Sequence, residues 1–160
     1  MDKILAVLKD NPRLTNAQIA AMVGQSEEAV GEAIAAYERD GVICGYKTVI
    51  DWEKLEQTEK VTAIIELKVT PRRDTGFEKI AEEIMSFDEV ESVSLMSGGY
   101  DFSVGVTGHT FKEVALFVAN RLAPIPSVIS TQTTFILKRY KQAGIILSPA
   151  RTDERGADIL

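Results

Sequence analysis

Cysteine occurs once, at Cys44, and histidine once, at His109, so an internal disulfide, a cysteine-rich zinc site and a multi-histidine metal centre are all excluded. A lone cysteine also fits a reducing compartment. No apolar run approaches the roughly eighteen residues of a membrane-crossing helix. The opening Met1-Asp2-Lys3-Ile4-Leu5 lacks the basic-then-apolar shape of a signal peptide, so the expected location is the cytoplasm. Positive charge is scarce: 18 basic side chains stand against 24 acidic ones, a net charge of −6, which is unhelpful for approaching a phosphate backbone. No nucleophile has a base at fixed spacing, and there is no glycine-rich phosphate loop and no cluster of metal-ligand residues. No catalytic residue, cofactor or metal is therefore assigned.

What is present is an ordinary globular composition, 45% apolar and 26% charged, in 160 residues, enough for one domain or two small ones. Apolar residues follow helical spacing from Asp2 to Gly41, punctuated twice, which predicts three short helices. Ile4, Leu5, Val7 and Leu8 give the first a buried stripe, and Asn11-Pro12 stops it. Thr15 and Gln18 form a capping box opening the second, with Ile19, Ala20 and Met22 inward and Gly24 as its stop. The third starts at Ser26, carries Glu27 and Glu28 where the helix dipole favours acids, and turns Val30, Ile34 and Tyr37 to one side before Asp40-Gly41. Val42 to Ile50 then reads as a strand pair or one bent strand. Three helices followed by strands is the order of a winged helix-turn-helix, in which the third helix enters the major groove.

Strand and helix signals alternate in the second half. Val61 to Val69 turns Ala63, Ile65, Leu67 and Val69 to one face, and Thr75-x-x-Glu78 caps a helix with Phe77, Ile80, Ala81 and Ile84. Strands follow at Val90 to Met96 and Asp101 to Thr107, the latter with Phe102, Val104 and Val106 inward. Thr110 opens a helix with Phe111, Val114, Phe117, Val118 and Leu122 on one side, and a last strand runs from Val128 to Tyr140. The order β-α-β-β-α-β is the ferredoxin-like split βαβ unit, with helices on one sheet face only, so the fold class is α+β. The expected divisions are a winged helix-turn-helix over 1–50, a linker over 51–60, the ferredoxin-like domain over 61–141 and a tail over 142–160. Thr62, Ile64, Ser94, Met96 and Thr133 are expected on the uncovered face, too apolar and small for a well-solvated surface, and pairing with a second copy would cover them.

Between the second and third strands of that domain lies Met96-Ser97-Gly98-Gly99-Tyr100-Asp101-Phe102. Its two glycines permit positive φ and leave amide groups uncovered by side chains, so the turn can both reverse the chain and bond a carboxylate. The plainer alternative is a hairpin turn with only its local task.

These pieces in this order resemble the Lrp/AsnC family of bacterial and archaeal feast/famine regulators. Thr15-Asn16-Ala17-Gln18-Ile19-Ala20 with Val23-Gly24-Gln25-Ser26 is similar to the family's helix-turn-helix signature. Gly41-Val42-Ile43-Cys44-Gly45-Tyr46 is similar to the segment after its recognition helix. Ser97 to Asp101 resembles its effector-domain turn, and Ile125-Pro126-Ser127-Val128 with Thr131-Gln132-Thr133 resembles the start of its last strand. The resemblance implies a DNA-binding transcriptional regulator that dimerises through its C-terminal sheets. It also implies rings of dimers, with a small amino-acid-like effector held between subunits. The residues it carries over to the effector site are Ser97, Gly98, Gly99, Tyr100 and Asp101, with Thr131, Gln132 and Thr133 from the facing strand. Amides at 98–100 would suit the ligand carboxylate, and Asp101 its ammonium group.

One stretch departs from the family pattern. Where the recognition helix usually carries arginine or lysine after its central valine, this chain reads Val30-Gly31-Glu32-Ala33-Ile34. The expected DNA contacts are therefore Arg13, Thr15, Gln25, Ser26, Arg39 and Lys47, weak per subunit and multiplied by avidity in an oligomer. Two other readings stay open. One is a metabolite sensor or scaffold of the same fold that has lost DNA. The other is an enzyme resembling sirohaem decarboxylases, for which the chain offers only His109.

Overall fold

A computed structural model describes residues 2–55, 60–71 and 76–147, and the chain divides after Thr48 into two compact units. The Thr75 cap and the tail beyond Leu147 lie outside the described residues.

The first unit is three helices, α1 (Lys3–Asp10), α2 (Asn16–Val23) and α3 (Glu27–Arg39). Each start is fixed by a side-chain oxygen taking a free backbone N–H of the first turn. Asp2 accepts from Ile4 and Leu5, Thr15 from Gln18 and Ser26 from Ala29; Gln18 returns a bond to the Thr15 N–H, completing the capping box. Gly24 ends α2 at φ 75°, a left-handed position that a Cβ would strain. Ile4, Leu8, Ile19, Ala20 and Val30 form the core, with Leu14, Val23, Ile34 and Ile43 packed around it. Met22 is not part of it: the residue is 64% exposed, because Ile19 and Val23 already carry the inward side of so short a helix.

Val42 to Ile50 forms no strand. The N–H groups of Val42 and Ile43 both turn back to the Tyr37 carbonyl (2.9 and 3.0 Å), closing the end of α3 instead of starting a ladder. Ile43 is drawn onto the helical core, so the apolar alternation there serves packing of the chain exit and not sheet formation.

The second unit is built on an antiparallel sheet ordered β2-β3-β1-β4. Its strands are β1 (Val61–Val69), β2 (Val90–Leu95), β3 (Phe102–Gly108) and β4 (Val128–Ile136). Two helices cover one face, α4 (Glu78–Met85) and α5 (Phe111–Phe117), the latter continuing as a π-turn to Leu122. Ala63, Ile65 and Leu67 of β1 are fully buried, beside Phe102, Val104 and Val106 of β3 and against Ile80, Ile84, Val114 and Leu122 of the helices. Each of the larger of these side chains contributes about 1.5–3 kcal/mol of transfer free energy, which is why the period-two pattern holds so strictly in these two strands. Phe111, expected inward, is 56% exposed, its ring meeting Phe135 edge-on at 4.8 Å at the sheet margin. The last strand stops at Ile136 and not at Tyr140. Residues 141–146 instead form a small hairpin, β5 (Lys141–Gln142) and β6 (Ile145–Ile146), turned by Ala143 and Gly144 at φ 46° and 84°. Among the described residues no helix is long and apolar enough to cross a membrane.

The sheet face away from the helices carries Thr62, Ile64 and Glu66 of β1, opposite Thr107, Gly105 and Ser103 of β3 and Ile136, Thr134 and Gln132 of β4. Ile64 is 39% exposed there. Thr133 does not belong to that face. It pairs with buried Ile65, and Thr131 with buried Leu67, so both threonines stand on the helix side and Gln132 between them stands on the open side.

Candidate functional site

The turn between β2 and β3 leaves the N–H groups of Ser97, Gly98, Gly99 and Tyr100 without any hydrogen-bond partner among the described residues. Neighbouring free amides of this kind carry positive partial charge, which a carboxylate complements. Neither Gly98 nor Gly99 has positive φ, so their service here is not the left-handed turn that a Gly-Gly pair permits. A Cβ at either position would meet nothing within 4 Å. What glycine supplies is bare backbone facing open space.

Asp101 closes the turn. Its carboxylate accepts from the Val69 N–H (2.8 Å) and from Lys68 Nζ (3.4 Å), while its own N–H donates to the Leu67 carbonyl (2.9 Å) and its carbonyl accepts from Met96 N–H (2.8 Å). The ladder between β1 and β3 ends at the Leu67–Phe102 pair, so the next amide on that side of β1, the Val69 N–H, is free for this side chain. That bond is the main reason the Asp101 carboxyl sits below its ordinary value, with Lys68 adding to it and burial opposing it. The carboxylate is thus a brace pinning the turn to β1. A ligand ammonium would have to share oxygens that are already engaged.

Tyr100 lies across the open face: its hydroxyl donates to Gln132 Oε1 (3.0 Å), and Gln132 Nε2 donates to Glu66 Oε2 (3.2 Å). Of the three candidates on the facing strand, Gln132 is therefore brought to the turn. Thr131 and Thr133 point to the other side of the sheet. Glu66 had no signal in the sequence beyond its even place in β1; its link to the turn depends on a residue 66 positions away.

In the first unit, two of the six candidate DNA contacts are spent as helix caps, Thr15 on α2 and Ser26 on α3. Arg39 is paired with its neighbour Asp40 at 3.1 Å. The side chains of Arg13, Gln25 and Lys47 are exposed, with no partner among the described residues. With Val30 buried and Ile34 and Tyr37 half-buried, the outward stripe of α3 is Glu28, Glu32, Ala35 and Arg39. Two carboxylates thus stand where a groove-reading helix would present cations. His109 has its N–H bonded to Glu113 Oε2 (2.8 Å) at the start of α5, and its ring has no hydrogen-bond partner among the described residues.

Comparison with known proteins places both units. Residues 62–146 match the family model described as the Lrp/AsnC ligand binding domain, and residues 3–43 match a winged helix-turn-helix DNA-binding model. The chain is 44% identical over 153 residues to YugG, an HTH-type transcriptional regulator of Bacillus subtilis, covering 96% of this chain and 92% of that protein. The leucine-responsive regulatory protein of Haemophilus influenzae is 25% identical over 91% of this chain and 86% of its own length. Among solved structures, a transcriptional regulator from Neisseria meningitidis in complex with L-methionine superposes with a TM-score of 0.70 at 25% identity, covering 88% of this chain and 89% of that one. AsnC of Escherichia coli, at 21% identity and a TM-score of 0.67 over 88% of this chain and 91% of its own, shares the fold.

Proposed function

The chain belongs to the Lrp/AsnC family of DNA-binding transcriptional regulators with a ligand-binding domain, and from that premise we propose which of its atoms read the effector and the DNA. The effector is a small amino acid or a close analogue, its carboxylate received by the N–H groups of residues 98–100. The observation that carries this reading is the run of four free amides at a glycine-lined turn, held in place by Asp101. The methionine bound by the Neisseria regulator supports the chemical class. Gln132 and Tyr100 form the polar floor beside the turn. The ammonium acceptor is not Asp101 alone, since both of its oxygens are engaged.

The sheet face bearing Ile64, Thr134 and Gln132 pairs with a second copy, and further association brings turns of different subunits together. On the DNA side, Arg13, Gln25 and Lys47 supply the first contacts, and the acidic outward stripe of α3 keeps the affinity of each subunit low, so that oligomerisation supplies the rest. A salt-series gel shift on DNA upstream of the protein's own gene, run with and without a panel of L-amino acids, tests the reading. Saturable binding at low salt whose midpoint moves with one amino acid is expected. Absence of any saturable binding at low salt would remove the DNA assignment, and calorimetry showing no heat with any amino acid would remove the effector assignment.

A further inference from the structure

Edge strands present unpaired N–H and C=O groups, and proteins blunt them with charge, proline, bulges or short length. The two edges of this sheet differ. β2 is six residues long, carries Glu91 and is interrupted by a register shift between Val90 and Ser92. β4 runs for nine residues with no charge and no proline, and its register shift lies at the start, opposite Lys68–Val69, leaving Ser130 to Ile136 regular.

Which groups of β4 face outward follows from the ladders. The Asp101 carbonyl takes the Met96 N–H, so the odd residues of β3 turn their backbone groups to β2, and its even residues bond the odd residues of β1. The even residues of β1 are left for β4, where they meet Ser130, Gln132, Thr134 and Ile136. The N–H and C=O of Thr131, Thr133 and Phe135 therefore point away from the sheet, and none has a partner among the described residues. Ile129 and Leu137 flank this row, 63% and 86% exposed.

We propose that this edge pairs with the same edge of a second copy, antiparallel about a twofold axis at Thr133. In that register Thr133 meets its own counterpart, Thr131 meets Phe135, and Ile129 meets Leu137, so each exposed apolar flank is covered by the other copy. Charge selects the direction. Lys138, Arg139 and Lys141 follow β4 closely. A parallel copy would stack the two cationic runs, whereas an antiparallel one sends them to opposite ends. The pairing also gives a task to Thr131 and Thr133, which the fold turns away from the effector turn. Only alternate residues from Ile129 to Leu137 take part, far fewer than the roughly 20–30 a side of a standalone interface, so the contact is reversible and concentration-dependent. It does not rest on the pairing of the open face, because the Thr133 side chain stands on the other side of the sheet.

A residue on the twofold axis meets itself, which makes the register testable by complementation. Sedimentation velocity of the full chain over a range of concentrations is compared among the parent, Thr133→Lys, Thr133→Glu and an equimolar mixture of the two variants. Either variant alone should lose association through like-charge contact, lowering the mean mass by up to half, and the mixture should regain it. Thr133→Pro removes only the outward N–H and spares the ladder to β1, so it should also lose association while keeping the parent's circular dichroism. The proposal is overturned if the variants sediment as the parent does, or if the mixture associates no more than its components. Hydrogen exchange supplies a separate check: the amides of Thr131, Thr133 and Phe135 should gain protection as concentration rises. Protection already present at high dilution would assign the edge to another segment of the same chain and would also overturn the proposal.

Discussion

Replacing Glu32 by arginine tests whether α3 faces DNA at all. Glu32 is exposed in the middle of the outward stripe, one turn from Glu28, so the change exchanges a carboxylate for a cation without touching the buried Val30. Folding should tolerate it. Arginine and glutamate have similar helix propensity, and an acid–acid neighbour pair four residues apart becomes an acid–base pair, stabilising the helix by about 0.2–0.5 kcal/mol. If the stripe meets the phosphate backbone, each subunit gains about one phosphate contact, and two subunits on one site steepen the slope of log affinity against log salt by about 1.8. Across a fourfold rise in salt the variant should therefore lose roughly tenfold more affinity than the parent while binding tighter at the low end. Glu32→Gln removes the repulsion without adding a contact and should tighten binding with little change in slope. Fluorescence anisotropy on a labelled upstream fragment at stepped salt reads all three proteins. An arginine variant with parental affinity and slope would show that α3 does not approach DNA, and the groove-reading role would have to pass to another element.

Gly99→Val covers the free amides of the turn with a branched side chain; calorimetry should show loss of the turn's effector binding, with helical melting of the first unit unchanged. For Asp101, whose folded-state pKa is depressed chiefly by the Val69 N–H, the contribution to stability is fully present above the ordinary value of 3.8 and fades as pH falls through the lower folded value. Asp101→Asn should accordingly lack that acid-side decline, seen as a flatter dependence of melting temperature on pH below 3.8 than in the parent. Thr15→Ala removes one arm of the capping box and should cost about 1 kcal/mol in chemical denaturation of the first unit. Ile65→Ala, at a fully buried site in the central strand, should cost about 2–5 kcal/mol in the second.

Signals that depend on near neighbours were legible in the sequence. The Thr15–Gln18 box, the Ser26 and Thr110 caps and the Ala63-Ile65-Leu67 alternation all stand in the structure where their spacing puts them, because each is decided within a few residues. Features decided by distant partners were not. Asp101 finds Val69 32 positions away, at the point where the pairing of β1 with β3 has ended, so its side chain reads from sequence as a free polar group beside a turn. In β4 the residues alternate between polar and polar, Thr131, Gln132, Thr133 and Thr134, and give no hydrophobic phase from which to tell the two faces apart. The stretch after α3 has the opposite fault: its apolar alternation is real, yet the amides that would build a strand are taken by Tyr37.

Tyr100 has one foot in each of two assignments. Its backbone N–H belongs to the turn that would hold an effector, and its hydroxyl is tied through Gln132 to Glu66 on the face that would meet a second subunit. Where one residue serves both events, thermodynamic reciprocity sets their relation: the factor by which ligand alters subunit association is the factor by which association alters ligand affinity. The abundance of the protein in the cell would then help to calibrate its sensitivity, so that a gene feeding back on its own expression would also be resetting the metabolite level to which it answers.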